Sequence, residues 1–225
     1  MTVPKLDNNV RYLQLAFNYN LSMALKMLPL IPQSNRIIIE AGTPFIKLEG
    51  MNGIRAIRRR WPGHLVADLK VSDGAINEVD MARQAGATAA TVLGYAPPET
   101  TDLFIERCTQ LNMISMIDLL GVSDPLDVLR PLKKTPDIAV IHRGRDEENT
   151  IGKVIRYRQV NRIRSKYNTL ISAAGGVDLR EARSAIFNGA NIVVVNIVRP
   201  GDGWSGIKTT EEITDISNKF LETIS

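Results

Sequence analysis

Short runs rich in isoleucine and valine recur roughly every 25 residues along the chain, with longer amphipathic stretches between them. Such runs are too apolar to leave one face in water, and they suit parallel strands buried on both faces. The pattern predicts strands at Tyr12–Phe17, Arg36–Ala41, His64–Lys70, Ala87–Leu93, Met113–Leu119, Ile138–His142, Leu170–Ala174 and Ile192–Asn196. Val193, Val194 and Val195 make the last of these the clearest case. Helical spacing fills the intervals. A helix over Ile46–Trp61 places Ile46, Leu48, Ile54 and Ile57 inward and its arginines outward. Helices over Ile76–Ala85 and Asp178–Asn188 stop at Gly86 and Gly189, which read as C-terminal caps. Pro97, Pro98 and Pro125 fall where a first helical turn tolerates proline. Strict strand–helix alternation implies a parallel sheet. Eight units in 225 residues favour a closed (β/α)8 TIM barrel, one α/β domain, over an open doubly wound sheet, with residues 1–11 as a short N-terminal extension.

Composition narrows the function. No apolar run reaches the roughly 18 to 20 residues that span a bilayer, and Met1–Val10 lacks the apolar core of a signal peptide. A soluble cytoplasmic protein is expected. Cys108 is the single cysteine, which excludes an intramolecular disulfide and a cysteine-based zinc site. It reads as a small half-buried side chain on a helix. The net charge is +4, and some of the positive charge is concentrated in Arg55, Arg58, Arg59 and Arg60 and in Arg156, Arg158, Arg162, Arg164 and Lys166. Nucleic-acid binding would need base-stacking aromatics beside these charges, and only 5% of the chain is aromatic. The clusters read as solvated helix faces, on a surface that suits phosphorylated small molecules.

The polar residues fall where a barrel places its chemistry, at the C-terminal strand ends. Glu40 ends the second strand, Asp68 and Lys70 the third, with Asp73 beyond, and Asp118 the fifth. His142 and Arg145 follow the sixth, Gly175 and Gly176 the seventh, Asn196 and Arg199 the eighth. Asp68 and Lys70 are two apart on one strand and share a face. That face must be the barrel mouth, because charges among the outer helices would be badly desolvated. An ammonium held protonated by carboxylates can donate to an anionic intermediate. Glu40 and Asp68 are placed to chelate Mg2+ with substrate oxygens and water, or to form a metal-free ion network with Lys70. His142 is a candidate acid or base. His64, at the opposite end of its strand, reads as structural. The Gly175–Gly176 turn suits a phosphate, which this fold usually binds at its seventh and eighth loops.

These residues carry a resemblance. Asp68, Lys70 and Asp73 form an Asp-x-Lys-x-x-Asp signature. With Glu40–Gly50, Thr91–Gly94, Asp118–Pro125 and Ala174–Gly176, the chain from about Leu13 to Arg199 resembles the orotidine monophosphate decarboxylase superfamily. The branch it resembles holds the 3-hexulose-6-phosphate synthases and 3-keto-L-gulonate-6-phosphate decarboxylases. The resemblance implies an enediolate mechanism with Mg2+ on Glu40 and Asp68, and with Lys70 stabilising the enediolate. It implies a homodimer in which Asp73 crosses into the partner's site, and proton transfer by His142 with Arg145. Gly176 and the loop after the eighth strand would hold the phosphate of a sugar phosphate. Asp118, in place of a glutamate usual in the decarboxylases, and Glu78, five residues after Asp73, favour the synthase. The His142-x-x-Arg145 spacing looks like the decarboxylase. Gly74–Asn77 lacks the Ile-Pro-x-Thr continuation of the orotidine enzymes and argues against their activity. Three departures stand out. Asn18 replaces an aspartate at the end of the first strand, and Asp73-Gly74-Ala75 replaces Asp-Ala-Gly. Asn196-Ile197 replaces the phosphate-loop Gly-Arg, with Arg199 as the candidate substitute. The segment Arg199–Lys208 is longer than in the branch and is expected to cover the phosphate or the active site. The expected reaction interconverts D-arabino-3-hexulose 6-phosphate with formaldehyde and D-ribulose 5-phosphate. The alternatives are a related carboxy-lyase and a sugar-phosphate-binding barrel without turnover.

Overall fold

Strand pairing runs in chain order and closes on itself. The strands are β1 (Tyr12–Phe17), β2 (Ile37–Ala41), β3 (Leu65–Val71), β4 (Ala89–Leu93), β5 (Ile114–Asp118), β6 (Ile138–His142), β7 (Leu170–Ala174) and β8 (Ile192–Val198). Each pairs in parallel with the next, and β1 pairs with β8, so the sheet is a closed eight-stranded barrel. The structure is a computed structural model that describes residues 5–148, 150 and 154–225. The helices that return the chain are α1 (Leu21–Met27), α2 (Thr43–Arg58), α3 (Ala75–Gln84), α4 (Pro98–Gln110), α5 (Pro125–Leu129), α6 (Arg158–Arg164), α7 (Leu179–Phe187) and α8 (Ile213–Thr223). The chain is therefore the single (β/α)8 barrel expected. Among the described residues no helix is long and apolar enough to cross a membrane.

Alternation along the strands separates two apolar layers. Leu13, Leu15, Phe17, Ile37, Ile39, Val193 and Val195 point outward and join the helices in the larger core. Tyr12, Ile38, Val66, Met116, Val140, Ile192 and Val194 fill the barrel interior. Leu6 and Val10 pack beneath that interior, and the Asp7 N–H donates to the Tyr12 hydroxyl at 2.7 Å. The described part of the N-terminal extension thus plugs the bottom of the barrel. His64 sits at that end too, its Nδ1 3.2 Å from the Thr88 hydroxyl, as a structural residue.

Three expectations are corrected. Helix α2 starts at Thr43, where Pro44 suits the first turn, and it is broken at Gly50 (φ 59°, ψ −158°). The break leaves Leu48 exposed and makes Phe45 the buried anchor of the first segment. Arg58 is not on a solvated face: its guanidinium donates to the carbonyls of Trp61 and Gly63, the latter at 2.7 Å, and so ties the end of α2 to the lead into β3. Cys108 is fully rather than half buried, and burial pushes its thiol up to about 12, which removes thiolate chemistry. The tail after β8 also forms a short ninth strand, β9 (Ile207–Lys208), that pairs in parallel with the end of β8.

Phe45 anchors the segment that carries Thr43 to the mouth of the barrel. Phe45→Ala is expected to cost about 3–5 kcal/mol in urea unfolding, the usual range for an emptied aromatic site. A loss below about 1 kcal/mol, the size of an ordinary surface change, would mean that this segment is not anchored there.

Candidate active site

The inward-facing position nearest the C-terminal end of most strands is polar. Glu40, Asp68, Thr91, Asp118, His142 and Asn196 each follow an inward apolar residue two positions earlier, as does Gln14 one inward position before the end of β1, and all line one cavity of about 480 Å³ at the barrel mouth. The same alternation that fills the interior with apolar side chains therefore ends in a ring of polar ones.

Lys70 is held at the centre by its backbone. The register between β3 and β4 slips between Ala67 and Val71, and Lys70 has a φ of 49°. A non-glycine residue in that region costs of order 1–3 kcal/mol and persists only where its surroundings impose it. Here the Lys70 N–H donates to the Thr91 hydroxyl at 2.9 Å, and that hydroxyl donates to Asp68 at 2.9 Å. The Lys70 ammonium lies 3.0 Å from both Asp68 oxygens and 2.5 Å from Asp118. Burial alone would lower its pKa, but the two carboxylates more than offset this and hold it above the ordinary value. Thr43 completes the support, donating to Asp68 from its hydroxyl at 2.8 Å.

Asp118 links the lysine to the histidine. His142 Nδ1 lies 3.0 Å from both Asp118 oxygens, and the Leu120 N–H donates to the same carboxylate at 3.0 Å. Burial would raise Asp118, yet His142 and Lys70 keep it well below the usual carboxylate range. Burial likewise works against the His142 imidazolium, and Asp118 outweighs it, so the imidazole is raised above its ordinary pKa. The result is a continuous chain of hydrogen-bonded charges, Asp68–Lys70–Asp118–His142.

Glu40 stands beside this chain. Gln14 donates to its carboxylate, while burial and then the like charge of Asp68 push Glu40 up to about 7. The Gln14 side-chain oxygen is buried and makes no hydrogen bond within the protein. Among the described residues no group of three or more His, Cys, Asp or Glu side chains is spaced to hold a metal by itself.

The remaining expected residues divide. Asn18, Asn196, Gly175 and Arg145 line the cavity, and the Asn18 amide donates to Asn196 at 2.9 Å. The end of β1 thus presents a neutral amide pair rather than a charge. Gly176 (φ 66°) lies against the Arg143 guanidinium and the Glu148 carboxylate instead of on the cavity wall. Arg199 is exposed, its guanidinium stacked 4.1 Å over the Tyr19 ring. Asp73 is exposed on the β3–α3 loop, away from the cavity of its own chain, where it accepts the Gly74 N–H at 2.7 Å. Sequence reasoning missed Gln14, Thr43, Thr91 and Glu148. Strand parity could have given Gln14 and Thr91, since each sits two residues after an inward apolar position. Nothing in the local sequence marks Glu148.

The sequence matches the Orotidine 5'-phosphate decarboxylase / HUMPS family over residues 11–196, which takes in every strand of the closed barrel but the last two residues of β8. The chain belongs to this family. Within it, the chain is 34% identical over 212 residues to the bifunctional enzyme Fae/Hps of Methanothrix thermoacetophila, covering 93% of this chain and 52% of that one. It spans about half the length of the curated relatives it matches. The crystal structure of 3-hexulose-6-phosphate synthase from Salmonella typhimurium superposes with a TM-score of 0.83 at 25% identity, covering 95% of this chain and 98% of that one. The 3-keto-L-gulonate-6-phosphate decarboxylase of Vibrio cholerae shares the fold at a TM-score of 0.76 and 23% identity, over 96% of this chain and 98% of that one.

The Asp118–His142 contact has a direct consequence. The chain has two histidines, so His142 is readily followed by NMR. It is expected to titrate above about 6.5, the unperturbed value, and to fall below it in Asp118→Asn, where burial acts without the carboxylate. The sign for stability follows: the contact contributes fully below the unfolded pKa and is lost as pH rises through the folded one. An unchanged His142 titration in Asp118→Asn would remove Asp118 as the cause.

Proposed function

We propose that this chain is a 3-hexulose-6-phosphate synthase-like aldehyde-lyase, interconverting D-arabino-3-hexulose 6-phosphate with formaldehyde and D-ribulose 5-phosphate. The observation that carries the reading is the unbroken Asp68–Lys70–Asp118–His142 chain at the floor of the cavity. It pairs a permanent ammonium with a histidine able to move a proton. The likeness to the synthase structure and to the Fae/Hps enzymes supports the choice of substrate.

In the condensing direction His142, oriented by Asp118, takes the proton from C1 of D-ribulose 5-phosphate. The C–H electron pair becomes the enediolate, and Lys70 donates a hydrogen bond to the oxygen that gains charge. Such donors act strongly because they are fixed before the charge develops. The C1 carbon then bonds to the carbonyl carbon of formaldehyde, and the new alkoxide takes the proton back from His142. Catalysis by a positioned acid–base group of this kind contributes about 10²–10⁴-fold.

A divalent cation fits beside this machinery. Glu40 is a buried carboxylate raised by burial and by the like charge of Asp68 beside it, and the Gln14 oxygen offers a further neutral acceptor nearby. Mg2+ suits one or two carboxylates with the rest of its shell from substrate oxygens and water. When bound, it supplies positive charge to the oxygens on C1 and C2. Asp73, exposed and outside its own cavity, is proposed to complete the site of a second copy in a homodimer, with the phosphate near Gly175, Asn196 and Arg199.

A carboxy-lyase acting on a 3-keto sugar-acid phosphate is the second reading. Arg145 favours it by lining the cavity three residues after His142. Substrate tests separate the two by formaldehyde exchange against CO2 release.

Formaldehyde-dependent consumption of D-ribulose 5-phosphate is expected with Mg2+ and is expected to stop with EDTA; CO2 release from a 3-keto sugar-acid phosphate without formaldehyde activity would overturn the choice. Lys70→Ala is expected to abolish turnover while the far-UV dichroism stays that of the wild type. Near-wild-type activity would sink the mechanism. Mixing inactive Lys70→Ala and Asp73→Ala subunits is expected to restore activity to about a quarter of wild type, since half of random dimers regain one of two sites. No recovery from an exchanging mixture would place Asp73 outside the site.

A further inference from the structure

The loop between β8 and β9 reaches across the mouth of the barrel and is held at three points. The Tyr19 hydroxyl, after β1, donates to the Asp202 carboxylate, which also accepts the Arg199 N–H at 2.6 Å. Arg199 stacks on the same Tyr19 ring. At the far side the Ser205 N–H donates to Glu148 at 3.3 Å, on the β6 side of the cavity. Between these ties Trp204 lies half-buried with the Arg145 guanidinium 4.5 Å over its ring.

Arg145 is the only one of these two stacked arginines on the cavity wall. It sits in a short turn after β6, and its long side chain loses rotamer entropy when it is ordered. The Trp204 ring on one side restricts that freedom before any ligand arrives.

The geometry points to Trp204 as a positioning residue, which uses its ring to hold the Arg145 guanidinium at the mouth of the cavity that Gly175 and Asn196 also line, as a further cation for the substrate phosphate proposed to lie there. The inference rests on the sugar-phosphate reading above and adds to it a residue from the loop after β8. The ring does not touch the reacting atoms. It acts by keeping a cation in place, so the π face matters and apolar bulk alone does not serve.

That distinction defines the variants. Trp204→Phe keeps an aromatic face, and Trp204→Leu keeps apolar cover without one. Binding of D-ribulose 5-phosphate, measured by calorimetry, is expected to weaken about fivefold in Trp204→Leu, the size of one exposed cation–π contact. It should be restored most of the way in Trp204→Phe. A second reading needs no ligand and no turnover. The chain has two tryptophans, and Trp61 is fully buried at the other end of the barrel. The difference between wild type and Trp204→Phe therefore isolates the emission of Trp204. In Arg145→Ala, acrylamide should quench that emission more strongly, because the guanidinium no longer covers the ring.

Equal affinity in Trp204→Leu and wild type, unchanged quenching in Arg145→Ala, or no binding of D-ribulose 5-phosphate by the wild type would each overturn the inference. Binding that follows the expected order without formaldehyde-dependent turnover would support it and overturn the synthase reading alone.

Discussion

An ammonium fixed between two buried carboxylates is stable only where the geometry is imposed on it. Taking the three charges out of water costs several kcal/mol per ion, and their attraction offsets that only if every remaining lone pair is also satisfied. The barrel meets this condition at Lys70. Thr43 and Thr91 take up the free valences of Asp68, the Leu120 N–H and His142 take up those of Asp118, and Lys70 itself accepts a left-handed φ so that its side chain reaches both. Each supporting group comes from a different strand or loop, so the closed barrel is what makes the arrangement possible.

Function follows from the same constraint. The charge chain extends from a carboxylate through the ammonium to a histidine, and in the proposed mechanism it joins charge stabilisation and proton transfer in one unit. Groups fixed before reaction need no reorganisation when charge develops. Glu40 stands beside the chain, raised by burial and by the like charge of Asp68. Around this floor stand the loops of the barrel mouth. Asn18 and Asn196 form a neutral amide pair at the rim, and Trp204 of the loop after β8 stacks on Arg145 while Arg199 of the same loop stacks on Tyr19.

Much of this was legible from the chain. Valine and isoleucine runs located all eight strands to within one or two residues, because strands buried on both faces leave a local signal. The ends of Leu170–Ala174 and Ile138–His142 were read as they are. The alternation that put Asp68 and Lys70 on one face held, with a bulge that sequence could not show. Helix α2 was misread because apolar spacing was carried through Gly50, where the chain turns. Arg58 was misread because a guanidinium bonded to the carbonyls of Trp61 and Gly63 looks in sequence like any surface arginine. Gln14 and Thr91 lay within reach of parity. Glu148, Tyr19 and Trp204 did not, since their places depend on loop closure between distant segments.

The central claim is that Lys70 and His142 together support loss of a proton from C1 of D-ribulose 5-phosphate. The direct test is solvent exchange in deuterium oxide without formaldehyde, followed by proton NMR of the C1 hydrogens. The account predicts incorporation of deuterium at C1 by the wild type and none by Lys70→Ala. Retention of both C1 hydrogens by a folded wild-type protein saturated with the sugar phosphate and Mg2+ would contradict it.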